Sequence, residues 1–143
     1  GCPFRCLYCA NPDTIDVKGG TPTPAGEILQ MAVSQKAFFG KKGGITFSGG
    51  EPTLQAEALI PLFKDLKANG IHICLDTNGG IWNDKVRNLL SLTDLVLLDI
   101  KEFNPERHCT LTGRSNEQNP AHRCLAGTTG TSVLAALCPG TGI

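Results

Sequence analysis

Short apolar segments of this chain alternate with segments of helical pattern, and this alternation constrains the fold more than any other feature. The apolar segments run from Ile45 to Phe47, from Ile71 to Leu75 and from Leu95 to Leu98. Apolar residues at helical spacing fill the segments 24–39, about 54–68 and about 84–90. Strands that alternate with helices predict parallel βα units, and therefore the α/β class. The third apolar segment contains no polar residue, as is typical of a strand covered on both faces.

Polar residues or glycines follow each of the three predicted strands. Gly49-Gly50-Glu51 follows the first strand, Asp76 follows the second, and Asp99 with Lys101 follows the third. Parallel strands place their carboxyl ends at one edge of a sheet, where α/β proteins hold their ligands. We therefore expect these groups to meet on one rim, together with the cysteines at the start of the chain.

Three of the seven cysteines, Cys2, Cys6 and Cys9, lie within the first nine residues. Three thiolates so close in sequence can converge on one metal site, whereas a tetrahedral zinc or an iron–sulfur cluster takes four ligands. An open fourth position is typical of catalytic rather than structural sites. The alternative is a zinc knuckle completed by His108 or Cys109. The odd number of cysteines argues against a disulfide framework and favours a reducing cytoplasm.

The spacing Cys-x3-Cys-x2-Cys, together with later motifs, resembles the radical S-adenosylmethionine enzymes, and among them the activating enzymes of pyruvate formate-lyase. The later motifs are Ser48-Gly49-Gly50-Glu51-Pro52, Leu75-Asp76-Thr77-Asn78-Gly79, Leu97-Leu98-Asp99-Ile100-Lys101, and the stretches 105–108 and 111–117. The resemblance covers residues 1 to about 118. It implies an incomplete (βα)-repeat partial TIM barrel of the radical SAM type, with one further strand just before Gly1.

The resemblance also implies the cofactors. The three thiolates would hold three irons of a [4Fe–4S] cluster, and the fourth iron would bind S-adenosylmethionine. One electron from the reduced cluster would cleave that cofactor into methionine and a 5′-deoxyadenosyl radical. The residues implied to bind the cofactor are Tyr8, Cys9, Ala10, Gly50, Glu51, Asp99, Ile100 and Lys101.

A monovalent cation is the third group that the resemblance implies. It would lie between Asp76 and Asp99, with Thr77 and the carbonyl of Leu97 helping. Two carboxylates at the ends of adjacent strands repel each other unless a cation lies between them. The alternatives are helix capping for Asp76 and an ion pair with Lys101 for Asp99.

The reaction implied by the resemblance is the activation of pyruvate formate-lyase. The radical would abstract a hydrogen from a glycine of that protein, and flavodoxin or ferredoxin would supply the electron. Only 38 residues, none of them cysteine, separate Cys9 from Ser48. This leaves no room for the cysteine-rich segment that several other activating enzymes insert there. The alternatives are another radical SAM enzyme, with a small substrate or with a partner such as anaerobic ribonucleotide reductase, and an inactive truncated fragment.

The overall charge and hydropathy of the chain indicate no nucleic-acid or membrane partner. Thirteen basic and thirteen acidic residues cancel, so no charge pattern for nucleic acid or an anionic membrane is present. No apolar run approaches the roughly 20 residues that span a bilayer.

Residues 120–143 contain no Asp, Glu or Lys and are rich in Thr and Gly. We hypothesise that 1–118 are part of a radical SAM core, that a frameshift near Asn119 produced the atypical segment 119–143, and that Cys124 and Cys138 are accidental.

Overall fold

The computed structural model describes residues 1–41, 43–116 and 132–137, the last range as backbone except for Leu134. The elements in chain order are α1 (Ala25–Gln35), β1 (Gly44–Phe47), α2 (Ala56–Ala68), β2 (His72–Thr77), α3 (Asp84–Ser91), β3 (Leu95–Ile100), α4 (Pro105–Thr112) and β4 (Ser132–Leu137). All neighbouring strands pair in parallel, in the order β1-β2-β3-β4. The predicted partial α/β architecture is therefore confirmed. No helix in the described part of the chain is long and apolar enough to cross a bilayer.

Two strands extend further than the apolar pattern predicts. β2 continues to Thr77 and β3 continues to Ile100, so that Asp76 and Asp99 lie inside strands rather than after them. The reason is that both carboxylate residues have partners in the sheet. Asp76 is in register with Leu97, and Asp99 is in register with residue 136 of β4.

β4 was not predicted, because the last strand that the apolar pattern indicates ends at Leu98. Without it, β3 would be an edge strand with unpaired N–H and C=O groups. The short apolar run within Ser132–Leu137 satisfies those groups through six register pairs, from Leu95 with Ser132 to Ile100 with Leu137. The hypothesised boundary near Asn119, and both Cys124 and Cys138, lie outside the described residues. The boundary stays a prediction.

α4 was also not predicted from the apolar pattern, although its ends carry recognisable signals. The side chain of Asn104 accepts a hydrogen bond from the backbone N–H of Arg107 at 3.0 Å. Pro105 follows at the first helical position, where its missing N–H costs nothing. Gly113 ends the helix in the left-handed conformation (φ 71°).

The hydrophobic core lies between the sheet and helices α1 to α3. Its most buried side chains include Phe63, Leu66, Ile73, Leu75 and Leu89. Strand side chains alternate between the two faces of a sheet. Because Leu75 and Leu98 point into this core, the next residues along their strands, Asp76 and Asp99, are directed to the opposite face.

Candidate active site

A cavity of about 300 Å³ opens where strands β1, β2 and β3 end. This volume lies at the lower end of the range for small-molecule pockets. The predicted site residues in its wall are Cys2, Cys6, Tyr8, Cys9, Ala10, Gly50, Asp76, Asp99 and Lys101. Of the remaining two, Glu51 is buried behind the wall and Ile100 packs against the hydrophobic core. The expected convergence on one rim is therefore observed.

The C-terminal end of α4 and Arg114, two residues beyond it, hold the loop that carries the cysteines. The backbone N–H of Arg5 donates to the carbonyl of Thr112 at 2.7 Å, and that of Leu7 donates to the carbonyl of Leu111 at 3.0 Å. The guanidinium Nε of Arg114 donates to a carbonyl of the same loop, that of residue 3, at 3.2 Å. The loop is thus fixed through its backbone, which leaves the thiols directed into the cavity.

A second set of backbone hydrogen bonds fixes the first two residues. The N–H of Cys2 donates to the carbonyl of Ile15 at 3.2 Å, and the N–H of Glu51 donates to the carbonyl of Gly1 at 2.8 Å. The turn after β1 is therefore tied directly to the cysteine loop.

The zinc alternative is not supported by the positions of His108 and Cys109. His108 is only 2% exposed, and its Nδ1 donates to the carbonyl of Arg114 at 2.7 Å. Its ring also packs edge-on against Phe4, with centroids 5.3 Å apart. Cys109 is exposed on α4. Within residues 1–41, 43–116 and 132–137, no three His, Cys, Asp or Glu side chains gather as closely as ligands of a single metal ion. A cluster separates its thiolates more widely, because several irons lie between them.

Lys101 places a positively charged side chain in the cavity wall. Its ammonium group forms an ion pair with Asp99 and lies 5.8 Å from the ring centroid of Tyr8. Burial acts to lower the pKa of Lys101, but the hydrogen bond and charge of Asp99 outweigh it and raise that pKa. Lys101 therefore stays charged. The alternative considered for Asp99, pairing with Lys101, is observed.

The surroundings of Cys6 disfavour its thiolate form. Burial raises the pKa of the Cys6 thiol, with Lys101 opposing that effect and the two neighbouring cysteines adding to it. The thiolate form therefore requires additional positive charge nearby. A bound metal group supplies such charge.

Asp76 contacts the turn after β1. The hydroxyl of Ser48 donates to Asp76 Oδ2 at 2.8 Å. The helix that follows β2, α3, is capped by Asn83 rather than by Asp76. Asp76 is in register with Leu97, and Asp99 lies two residues further along β3 on the same face. The two carboxylates are therefore diagonal neighbours in the cavity wall.

Gly50 lies where two other backbone segments come very close. A Cβ at this position would lie 2.3 Å from the carbonyl oxygen of Gly1 and 2.7 Å from that of Thr14. Any side chain would therefore push the turn away from the cysteine loop. The adjacent Gly49 has φ 122°, which side chains rarely tolerate.

Glu51 has a role in the structure that its motif does not reveal. Its carboxylate is 2% exposed and accepts four hydrogen bonds. Oε1 accepts from the backbone N–H of Thr53 (3.0 Å), the hydroxyl of Thr53 (2.6 Å) and the hydroxyl of Thr77 (2.7 Å). Oε2 accepts from the backbone N–H of Asn78 at 2.8 Å. Glu51 thus joins the turn after β1 to the end of β2.

Four residues of the wall were not selected as site residues from the sequence: Asn11, Thr14, Ser48 and Asn78. The side-chain amide of Asn78 is notable because its Nδ2 lies 3.6 Å from the sulfur of Cys2. Ser48 and Asn78 belong to the motifs 48–52 and 75–79, so the sequence did indicate that they could lie near the site. Asn11 and Thr14 carry no such signal, since only the fold of the loop brings them to the cavity.

Comparison with known sequences identifies relatives for most of the chain. The Radical SAM superfamily matches residues 1–125. The pyruvate formate-lyase-activating enzyme of Streptococcus mutans is 48% identical over 125 residues, which cover 82% of this chain and 48% of that protein. Pyruvate formate-lyase 1-activating enzyme of Escherichia coli is 44% identical over 121 residues, which cover 82% and 49% respectively. The chain thus spans about half the length of the curated relatives it matches.

Solved structures share the fold. A domain of the pyruvate-formate lyase-activating enzyme of Bacteroides vulgatus superposes with a TM-score of 0.56 at 28% identity, covering 66% of this chain and 58% of that chain. Streptococcus suis SuiB, bound to the precursor peptide SuiA, superposes with a TM-score of 0.63 at 16% identity, covering 82% and 26%. The second likeness concerns the fold alone.

Proposed function

This chain belongs to the Radical SAM superfamily, and from that premise we propose that its cysteine loop holds a [4Fe–4S] cluster that binds S-adenosylmethionine. One observation carries the proposal: a single cavity is lined by the three cysteines of this loop together with Gly50 and Lys101. The cysteines are Cys2, Cys6 and Cys9. Three thiolates on one short loop suit a cluster with one open iron. Gly50 lies in the same wall, and without a Cβ its backbone can approach a ligand closely.

When bound, the reduced cluster and S-adenosylmethionine would supply one-electron cleavage of the sulfonium to methionine and a 5′-deoxyadenosyl radical. That radical would take a hydrogen atom from the substrate. The protein positions and shields the reacting groups. The charged Lys101 faces the cavity and suits the carboxylate of the methionine moiety. Tyr8 and Ala10 line the cavity beside the thiols, and Asp99 holds Lys101 in place.

The substrate that we propose is a glycine residue of a glycyl-radical enzyme, pyruvate formate-lyase. Loss of its Cα hydrogen leaves a glycyl radical and 5′-deoxyadenosine. The support comes from relatives at 43–48% identity that are named as activating enzymes of pyruvate formate-lyase. Flavodoxin or ferredoxin is the proposed electron donor. The cytoplasm is the proposed compartment, since free thiols persist under reducing conditions.

We further propose a monovalent cation beside Asp76 and Asp99. Their carboxylates are diagonal neighbours. Leu97 is in register with Asp76, and Thr77, the next residue of β2, lines the cavity. Oxygen donors of this kind suit a hard cation.

Anaerobic reconstitution of the 143-residue chain with iron and sulfide tests the cluster. We expect about four irons per chain and, after reduction, an EPR signal that changes when S-adenosylmethionine is added. Cys6→Ala should lose the signal, whereas Cys109→Ser, the matched control on the exposed face of α4, should retain it. Uptake of one zinc and no iron–sulfur cluster by a folded chain would overturn the proposal.

The partner is tested on the same reconstituted protein. It is incubated with S-adenosylmethionine, reduced flavodoxin and either pyruvate formate-lyase or anaerobic ribonucleotide reductase. A glycyl-radical EPR signal on pyruvate formate-lyase alone supports the proposed substrate. A signal on the reductase alone assigns the other partner, and a cluster that forms without any glycyl radical contradicts the activating function of this chain.

A further inference from the structure

We propose that Asn78 raises the reduction potential of the cluster by donating a hydrogen bond from its side-chain amide to the sulfur of Cys2. The inference rests on the proposed cluster. Nδ2 of Asn78 lies 3.6 Å from Cys2 Sγ, a separation suited to an N–H···S hydrogen bond. Cys2 and Asn78 are 76 positions apart in sequence, so only the fold creates this contact.

The orientation of the amide follows from its other contact. Oδ1 of Asn78 accepts a hydrogen bond from the backbone N–H of Gly80 at 2.8 Å. A backbone N–H can only donate, so this atom of the amide must be the oxygen. The nitrogen is therefore the atom that faces Cys2, and the sulfur receives a donor rather than an acceptor.

The surrounding loop holds Asn78 in this position. Its backbone N–H donates to the buried carboxylate of Glu51 at 2.8 Å. The hydroxyl of Thr77 accepts from the N–H of Gly79 at 3.1 Å. At Gly80, a Cβ would lie 2.8 Å from the ring of Phe4, so the loop packs tightly against the cysteine loop. The donor is thus fixed before any cluster binds.

A fixed donor affects the two redox states of a cluster differently. Reduction adds one electron, and the extra negative charge is shared with the cysteine sulfurs. A hydrogen bond to one of those sulfurs therefore stabilises the reduced state more than the oxidised state, and hydrogen bonds to sulfur are among the factors that set cluster potentials. Asn78 acts on the cluster only through Cys2, so it is a positioning residue rather than a catalytic one.

The test is a mediated redox titration, followed by EPR, of the reconstituted 143-residue chain and three variants. Asn78→Ala removes the donor without changing charge. Asn78→Asp keeps an oxygen for the N–H of Gly80 but replaces the NH₂ group that faces Cys2 with a carboxylate oxygen. Asn11→Asp places a similar acid in the same cavity wall and controls for charge alone. Iron content is measured for each, so that only loaded chains are compared.

We expect Asn78→Ala to reduce the ratio of reduced to oxidised cluster about tenfold at a fixed potential, which corresponds to a midpoint lowered by about 59 mV for one electron. Asn78→Asp should lower the midpoint further, and Asn11→Asp should lower it less than Asn78→Asp. Unchanged midpoints in both Asn78 variants overturn this inference while leaving the cluster proposal intact. Failure of the unsubstituted chain to take up a cluster overturns the proposed function and this inference together.

Discussion

The carboxylate of Glu51, on the turn after β1, accepts a hydrogen bond from the backbone N–H of Asn78, on the turn after β2, at 2.8 Å. The same carboxylate also receives the hydroxyl of Thr77. The two turns that border the cavity are therefore held by one buried side chain. Every group that Glu51 contacts donates, so the site requires an acceptor with no hydrogen of its own.

Glu51→Gln is expected to destabilise the fold. One carboxylate oxygen is replaced by an NH₂ group that faces a donor, which leaves buried donors without an acceptor. We expect a loss of about 1–3 kcal/mol in the free energy of unfolding, measured by urea titration. Glu57→Gln is the matched control, because Glu57 forms an exposed ion pair with Lys85 and its loss should cost under about 1 kcal/mol. Equal losses in both variants would contradict the role of Glu51.

Gly50→Ala is expected to disturb both stability and the cavity. The added Cβ meets backbone oxygens rather than flexible side chains, so the turn must move. We expect a cost of about 1–3 kcal/mol, as for other overpacked sites, and weaker binding of S-adenosylmethionine to the reconstituted chain. Gly26→Ala, in the open first turn of α1, should instead stabilise by about 0.5–1 kcal/mol. A Gly50→Ala chain as stable as the unsubstituted one would show that the turn adjusts freely.

The stability contributed by Asp94 should depend on pH. Its Oδ2 accepts from the N–H of Ile73 at 2.8 Å, and Lys67 pairs with its other oxygen. Burial acts to raise the pKa of Asp94, but the hydrogen bonds from Lys67 and Ile73, with the charges of Lys67 and His72, lower it below 3.8. The ionised group therefore stabilises the fold above about pH 4, and that contribution is lost as the pH falls through the lower folded pKa.

Asp94→Asn tests this pH dependence through urea titrations from about pH 7 to about pH 2.5. We expect the variant to be less stable than the unsubstituted chain by about 1 kcal/mol at pH 7, with the difference shrinking towards the acid end. Asp65→Asn, on an exposed position of α2, serves as the control and should keep the pH dependence of the unsubstituted chain. A difference that stays constant with pH would assign the effect of Asp94 to packing.

The proposed cation predicts a salt-specific effect on stability. Sodium or potassium chloride should raise the free energy of unfolding relative to choline chloride at equal ionic strength, by about 2.7 kcal/mol where the cation is at 100 times its Kd. Asp76→Asn should remove this effect, while Asp84→Asn, which changes an exposed pair with Arg87, should keep it. Identical stability of the unsubstituted chain in all three salts would rule out the cation.

The local sequence was sufficient for the elements that depend on short-range signals. The three predicted strands and the helices α1 to α3 follow from the spacing of apolar residues, because burial of one face requires that spacing. Convergence of the polar groups also followed from sequence, since parallel strands share one edge for their carboxyl ends. The cysteine spacing also marked the loop that we propose to hold the cluster, because its three thiols are close along the chain.

Contacts between distant segments were decided by the tertiary structure alone. β4 forms because β3 offers unpaired backbone groups, a condition that the sequence of residues 132–137 does not contain. Glu51 and Asn78 belong to motifs that suggest a ligand, yet one supports two turns and the other reaches the sulfur of Cys2. By itself, the sequence determined the class of fold and which cysteines share the loop proposed to hold the cluster, because both depend on neighbours along the chain. Only the folded chain decided which donor faces which acceptor, because hydrogen bonds require positions within a few ångströms that local pattern does not specify.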